Sequence, residues 1–204
     1  MSELLVRVAA DGRLVGMADL RVGGSAEDAI TEAKARGAVE LWAYGDDLAA
    51  HGFEPADGYV RLRAELLPPG EPIDEAADLD RIVVLLERCY VGLWGHWRPD
   101  RDAVARSVGR TDLHHLVLGD DGLCRVDMAD RAIDAPGVAP EARSPERYAQ
   151  LVLGACALLG PGPATIESWG DPSATIAAYE GLGFRIEDRL QGWRRSLRPP
   201  SVSR

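Results

Sequence analysis

Two side chains in this sequence could take a proton from a substrate. His96 lies between Trp94 and Trp97, which could form the wall of a pocket, and a histidine titrates near neutral pH. Asp134 lies four residues before Val138 and would share its face of a strand. Each also has an ordinary structural interpretation, His96 as a histidine at a helix end and Asp134 as a solvated turn residue. His96 and Asp134 are therefore candidate general bases.

Metal or disulfide chemistry is not indicated. His114 and His115 begin a strand-like run, in which alternation sends neighbouring side chains to opposite faces. Cys89, Cys124 and Cys156 have no metal-ligand or disulfide spacing and lie in apolar surroundings. We expect buried free thiols. Together with an N-terminus that lacks the pattern of a signal peptide, they predict a cytoplasmic protein.

Composition narrows the class of partner. The 204 residues are 46% hydrophobic and 27% charged, as in ordinary globular proteins. The net charge of −10 would repel nucleic acid in the absence of a basic cluster, and none occurs. No apolar run approaches the roughly 20 residues of a membrane-spanning helix. A small-molecule partner is favoured, and abundant Ala, Gly and Arg beside a single Lys34 suggest a GC-rich bacterial genome.

The apolar spacing predicts the elements that must position these residues. After residue 76 the predicted order is helix, helix, three strands, helix, strand, helix, strand. Pro99 opens one helix, Ser144 opens another that runs to Leu159, and Asp171 is expected to cap the last. Strands and helices alternate only late in the chain. The fold class is therefore α/β, with a mixed sheet covered by helices on both faces.

The chain also contains an internal echo. The hairpin signal Asp11-Gly12 recurs as Asp121-Gly122, and Trp42 aligns with Trp169 in a later strand-like run. The matches stay in order along the chain, as expected for a duplication with insertions, although short apolar strands can also resemble one another by chance. The predicted strand–strand–helix–strand unit therefore occurs twice.

This echo divides the chain into four parts. Residues 1–67 form a truncated first unit, and 68–75 a linker rich in Pro and Gly. Residues 76–197 form a complete second unit, and 198–204 a flexible tail.

The second unit resembles the GNAT superfamily of acyl-CoA-dependent N-acyltransferases. The resemblance lies in IESWGDPSATIAAYEGLGF, where Tyr179, Gly183 and Phe184 match the ending of the family's late helix. Two such units in tandem resemble the architecture of mycothiol synthase. The resemblance implies acyl-CoA as co-substrate, a small amine as acceptor, and Tyr179 as the acid that protonates the leaving thiolate.

The resemblance fails in part at the loop that holds the coenzyme pyrophosphate. Val138 and Arg143 match the family pattern, but Ser144, Glu146 and Tyr148 stand where it has three glycines. Glycine lets phosphates approach the backbone and the helix N-terminus, whereas a carboxylate facing them would repel them. Glu146 could instead point to solvent as a favourable first-turn charge. The implied cofactor-binding residues are Val138, Arg143, Ser144, Glu146, Arg147 and Tyr148.

Three functions remain open at this point. The first is an acyl-CoA-dependent N-acyltransferase that acts on a small amine and could form a homodimer. The second is a catalytically inactive GNAT-like binding protein that has lost the pyrophosphate loop. The third is a structural protein whose two halves stabilise each other.

Overall fold

The computed structural model describes residues 4–198 as one mixed sheet with five α-helices. Apart from Arg198, the predicted flexible tail 198–204 lies outside the described residues. The strands are β1 Leu5–Val8, β2 Leu14–Asp19, β3 Glu40–Tyr44, β4 Glu54–Ala64, β5 Asp74–Glu75, β6 Leu113–Val117, β7 Gly122–Asp127, β8 Ala132–Val138, β9 Ala164–Trp169 and β10 Arg185–Ser196. The helices are α1 Ala26–Ala35, α2 Leu79–Cys89, α3 Arg101–Val108, α4 Pro145–Leu159 and α5 Ser173–Gly181. The predicted order of elements after residue 76 is confirmed, and the short strand β5 lies just before it, within the predicted linker.

Side-chain caps set where four of the helices begin. Ser25, Asp78, Asp100 and Ser144 precede α1, α2, α3 and α4, and each accepts a hydrogen bond from a first-turn backbone N–H. Such caps satisfy donors that have no partner inside the helix.

The ten strands follow the order β1-β2-β3-β10-β4-β9-β8-β7-β6-β5. The pairs β2–β3 and β8–β9 are parallel, and the other pairs are antiparallel. Neighbouring residues on β7 belong to different cores. Cys124 packs with α4 and α5, whereas Leu123 packs with α2 and α3. Because neighbouring strand residues point to opposite faces, helices cover both faces here, as predicted.

The last strands of the two halves are exchanged. β10 lies between β3 and β4, and β4 lies between β10 and β9. From β1 towards the centre, and likewise from β7 towards the centre, the sheet has an antiparallel pair, a parallel pair, and then the final strand of the other half. Trp193 of β10 accordingly packs in the core of the first half, where its indole N–H donates to Gly45 O at 2.8 Å. We propose that the two units arose by duplication, and that neither can complete its sheet without the other.

The predicted match between the two hairpins is wrong by one strand. β3 and β9, which carry Trp42 and Trp169, hold equivalent positions in the sheet, as predicted. The hairpin β1–β2, however, corresponds by position to β7–β8 and not to β6–β7. The hairpins β1–β2 and β6–β7 share the Asp-Gly turn signal, which β7–β8 lacks, so local sequence favours the wrong pair. The strand β8, which follows the predicted hairpin of the second half, is therefore the counterpart of β2.

The segment between the halves, residues 66–73, crosses the outside of α4; we call it the crossing segment. A Cβ on Gly70 would lie 1.9 Å from Leu153 O, and one on Gly154 would lie 2.5 Å from Ile73. Two glycines thus permit the close contact between this segment and α4. The predicted linker 68–75 therefore packs against the second half, and its last two residues form β5.

The contact between β4 and β10 generates the first prediction. A Cβ on Gly58 would lie 2.1 Å from Leu190 O and 2.4 Å from Gly192 N, both backbone atoms. Gly58→Ala must displace one of the two central strands. We expect it to lower the free energy of unfolding by about 1–3 kcal/mol or more, the usual cost of overpacking, in urea denaturation.

Gly181→Ala is the matched control. Gly181 ends α5, and its added Cβ would meet nothing within 4 Å. Because alanine restricts the unfolded chain, this substitution should stabilise the protein by about 0.4–1 kcal/mol. Equal effects of the two substitutions would contradict the close strand contact at Gly58.

Candidate functional site

The candidate site lies where β8 and β9 separate. The two strands pair only from Ala132 to Asp134 on β8. Ala135 then adopts a positive φ of 44°, and the register of β8 against β7 shifts at this point. Beyond the shift, the facing edges of β8 and β9 no longer bond to each other. α4 and α5 begin just after these strand ends, so the open end of the sheet is surrounded by backbone polar groups and helix starts.

Tyr90 and His96 fill this opening from the side of α2. The Tyr90 hydroxyl donates to Ala135 O on β8, and His96 Nε2 lies 2.9 Å from Trp169 O on β9. Their rings stack with centroids 4.1 Å apart and an interplanar angle of 6°. A Cβ on Gly137 would lie 2.4 Å from the Tyr90 ring. The chain's own side chains thus occupy acceptors that strand separation leaves free.

This position constrains His96 as a base. Burial of the ring lowers its pKa to about 4, so the imidazole is neutral at pH 7. Because its Nε2 faces a carbonyl oxygen, that nitrogen must be the protonated one. Only Nδ1 remains as an acceptor.

Three buried polar groups meet on the other side of the opening. Tyr148 on α4 and Tyr179 on α5 are almost completely buried, and their rings meet edge to face with centroids 6.4 Å apart. Asp171 follows β9, and its Oδ2 accepts a hydrogen bond from the Ser168 hydroxyl at 2.7 Å. Within residues 4–198, both phenol oxygens and Asp171 Oδ1 are buried without a hydrogen-bond partner of good geometry.

Asp171 was expected to cap α5, and this is wrong. α5 begins after Pro172 without a side-chain cap, while the Asp171 carboxyl turns inward to Ser168. Burial raises the pKa of Asp171 to about 7, opposed by the Ser168 hydrogen bond and by the nearby Tyr148 phenol. Since the Tyr148 hydroxyl has no well-formed hydrogen bond to Asp171, we assign it a smaller effect on the pKa of Asp171 than the Ser168 hydroxyl.

The start of α4 is closed by its own residues. The Ser144 side chain accepts from Arg147 N. The pKa of the exposed Glu146 carboxyl is lowered, first by its own backbone N–H and then by the Ser144 hydroxyl. The Arg143 guanidinium turns inward and donates to the carbonyls of Val138, Cys89 and Val91, while Arg147 pairs with Asp121. Neither arginine is left to receive a phosphate at this helix.

The two predicted bases lie together, but the predicted acid does not lie with them. His96 and Asp134 both line a cavity of about 270 Å³ on the α2–α3 face, beside His115 and Ser107. Burial raises the pKa of Asp134, and its partner Arg125 opposes this. Tyr179 packs in the core on the α4–α5 face. Burial raises its pKa well above 10, so the phenol stays protonated.

A larger cavity of about 420 Å³ lies at the junction of the two halves, and we call it the seam cavity. Its walls come from β3, from β4 and β10 around Gly58, and from the start of α5, including Asp171. Nothing in the sequence pattern indicated this cavity, because the exchange of strands that forms it leaves no local signal. The sequence pattern also does not predict that the Asp171 carboxyl turns inward or that Tyr90 fills the opening.

Solved structures of acetyltransferases resemble this chain. A GCN5-related N-acetyltransferase from Sphaerobacter thermophilus has a TM-score of 0.55 at 14% identity, over 97% of this chain and 76% of its own. A protein of Pyrococcus horikoshii assigned as an acetyltransferase gives 0.58 at 13% identity, over 96% and 69%. A GCN5-related N-acetyltransferase from Kribbella flavida gives 0.51 at 14% identity, over 96% and 57%. The chain has the GNAT fold.

The likeness to GNAT structures is one of fold. No protein-family model matches the sequence, and no curated protein matches it. Among the described residues, no helix is both long and apolar enough to cross a membrane.

The GNAT fold implies acyl-CoA, and the residues at the implied place do not fit it. A pyrophosphate at the start of α4 would meet the Glu146 carboxylate, which stands in the first turn of that helix. The positions of two glycines hold Glu146 and the buried ring of Tyr148. Arg143 and Arg147 are bound to other groups of the chain. The anion-binding features of a helix N-terminus are therefore used internally.

The unpaired phenol of Tyr179 generates a prediction. Tyr179→Phe removes a buried hydroxyl that has no partner, so the free energy of unfolding should stay equal or rise by about 1 kcal/mol. Tyr90→Phe is the matched comparison. It removes the donor to Ala135 O and should lower that free energy by about 1 kcal/mol. Equal losses in urea denaturation would show that the Tyr179 hydroxyl has a partner.

Asp171 generates a prediction of pH dependence. Its pKa is raised from 3.8 to about 7 in the folded protein, so the folded state holds a proton that the unfolded state has released. The cost of burying the ionised carboxyl is absent below about pH 4 and grows until pH 7. Asp171→Asn should therefore stabilise the protein by about 2–3 kcal/mol more at pH 8 than at pH 5.

Urea denaturation at both values measures this difference. Asp188→Asn, at an exposed position on β10, is the control and should act equally at the two values. An Asp171→Asn effect independent of pH would mean that the carboxyl is ionised throughout.

Proposed function

We propose that this GNAT-fold protein binds a small molecule in the seam cavity and does not use acyl-CoA in the manner of GNAT acyltransferases. One observation carries the proposal: the carboxylate of Glu146 stands in the first turn of α4, at the helix terminus where the coenzyme pyrophosphate would lie. A bound pyrophosphate would have to displace an anion that is covalently part of the helix.

The rest of the opening supports the same conclusion. Tyr90 and His96 take the carbonyl oxygens at the diverging strand edges. Tyr148 and Tyr179 fill the α4–α5 side without exposed surface. The seam cavity, at about 420 Å³, lies within the usual range for small-molecule sites.

A second candidate function is N-acylation of a small amine with acyl-CoA. It is favoured by Tyr179 at the position of the family's acid, and by His96 and Asp134 sharing one cavity. This function requires Glu146 to turn away from the helix terminus and the tyrosines to rearrange. In that case Tyr179→Phe should lower the rate by about 10²–10⁴.

Acetyl-CoA binding distinguishes the two functions. Wild-type protein at about 1 mM acetyl-CoA should show no rise in Tm, because a ligand stabilises a protein only when the ligand concentration approaches the Kd. Glu146→Gly removes the carboxylate and frees the helix terminus, and should produce a measurable rise. Glu146→Gly together with Tyr148→Gly should increase it further if the doubly substituted protein folds.

Glu141→Gly is the matched control, since Glu141 is also exposed beside this loop but pairs with Arg88. It should give no rise with acetyl-CoA. A rise in wild type, with turnover of acetyl-CoA that Tyr179→Phe abolishes, would establish the acyltransferase instead.

A further inference from the structure

The seam cavity combines groups that neither half could assemble alone. Its wall on β4 and β10 is a bulge, where Gly58 and Gly192 bring the two backbones together and interrupt the pairing. Arg189 and Arg194 reach the cavity from β10, and Asp171 reaches it from the end of β9. Its groups of opposite charge therefore come from different strands of the sheet.

One wall carries two guanidinium groups. Arg189 and Arg194 are exposed. Burial raises the pKa of nearby Asp57, and the two arginines oppose that rise. Arg194 has a second carboxylate, Glu54, only at 3.9 Å. Arg189 forms no ion pair with another described residue. A guanidinium group is suited to bind a carboxylate through two parallel hydrogen bonds.

Another wall has an acceptor without a donor. Asp171 is 5% exposed, and its Oδ1 has no hydrogen-bond partner among residues 4–198. Leaving a buried acceptor unpaired is costly, and a donor from a ligand would remove that cost. An ammonium group offers three donors and the complementary charge.

The remaining charged groups of the cavity are already neutralised. Arg13 pairs with Glu40 at 2.5 Å, and Glu40 also accepts from the Trp42 indole N–H. Trp42 and Trp94 are 2% and 5% exposed, so their ring faces are not open for stacking of a sugar. Val60 and Ile176 supply apolar surface. The free groups are therefore guanidinium on one wall and carboxylate on another.

We infer that the seam cavity binds a small zwitterion of the amino-acid type, with its carboxylate on Arg189 and Arg194 and its ammonium group on Asp171. This inference rests on the proposed function and adds the class of ligand. A simple anion would meet Asp57 and Asp171, and a simple cation would meet the arginines. Only a molecule with both charges satisfies both walls.

Binding of the ligand at this site should depend on pH. Asp171, with its pKa of about 7, must be ionised to hold an ammonium group. The groups that face it are Ser168, Tyr148, Arg143, Asp57 and Tyr179. Binding should therefore weaken about fivefold as pH falls from 7 to 6, since one proton must leave and half of the carboxyl groups already hold it at pH 7.

The test is a thermal-shift screen of the full chain with the common L-amino acids at about 10 mM, followed by calorimetry of the one with the largest shift. Its decarboxylated amine and its deaminated acid are the matched probes, and each should bind at least about tenfold more weakly. Arg189→Gln, Arg194→Gln and Asp171→Asn should each weaken binding by a similar factor. Arg185→Gln and Asp188→Asn, exposed on β10 outside the cavity, should not.

The other outcomes separate the inference from the proposed function. Equal binding of the amine or the acid alone, lost in Arg194→Gln, would overturn the zwitterion and leave the seam cavity as a binding site. An amino acid that binds equally to wild type and to all three cavity variants would also overturn it. If no amino acid binds and the protein turns over acetyl-CoA, both the inference and the proposed function fail.

Discussion

The pairing of β10 between β3 and β4 is the contact on which the rest of this molecule depends. β10 supplies hydrogen bonds to both halves and carries Trp193 into the core of the first half. In return β4 completes the second half by pairing with β9. The seam cavity, the bulge at Gly58 and the continuity of the ten strands all follow from this exchange. The two halves are thus one cooperative unit, although the sequence divides visibly into two.

The same sheet has two places where strands lose contact, and the chain treats them differently. At the end of β8 the free carbonyls are taken by Tyr90 and His96, and the adjoining start of α4 is capped by Ser144 and carries the Glu146 carboxylate. At the β4–β10 bulge the gap stays open and is lined by charges. The GNAT fold is therefore present here with the opening between β8 and β9 filled from within and with a cavity at the junction of the halves.

Local patterns were sufficient for the elements but not for their partners. The helix starts indicated by Pro99 and Ser144 and the apolar spacing of α2 predict helix positions close to those observed, and the alternation of strands and helices predicts a mixed sheet. The exchange could not be predicted, because β4 and β10 would present the same alternation whichever neighbour they had. Asp171 was misassigned for a related reason. An aspartate before proline usually caps a helix, and only tertiary packing against Ser168 turned this one inward.

The order in which the chain is synthesised determines when its sheet can be completed. β4 emerges from the ribosome long before β9 and β10, its two neighbours, so the first 67 residues are made without partners for their last strand. Contacts between residues so distant in sequence slow folding, since a long loop must close first. The segment that leaves β4 must also pass outside α4, which is synthesised more than 70 residues later. Both edges of β4 therefore leave the ribosome unpaired, and only β9 and β10, which are synthesised later, can pair with them.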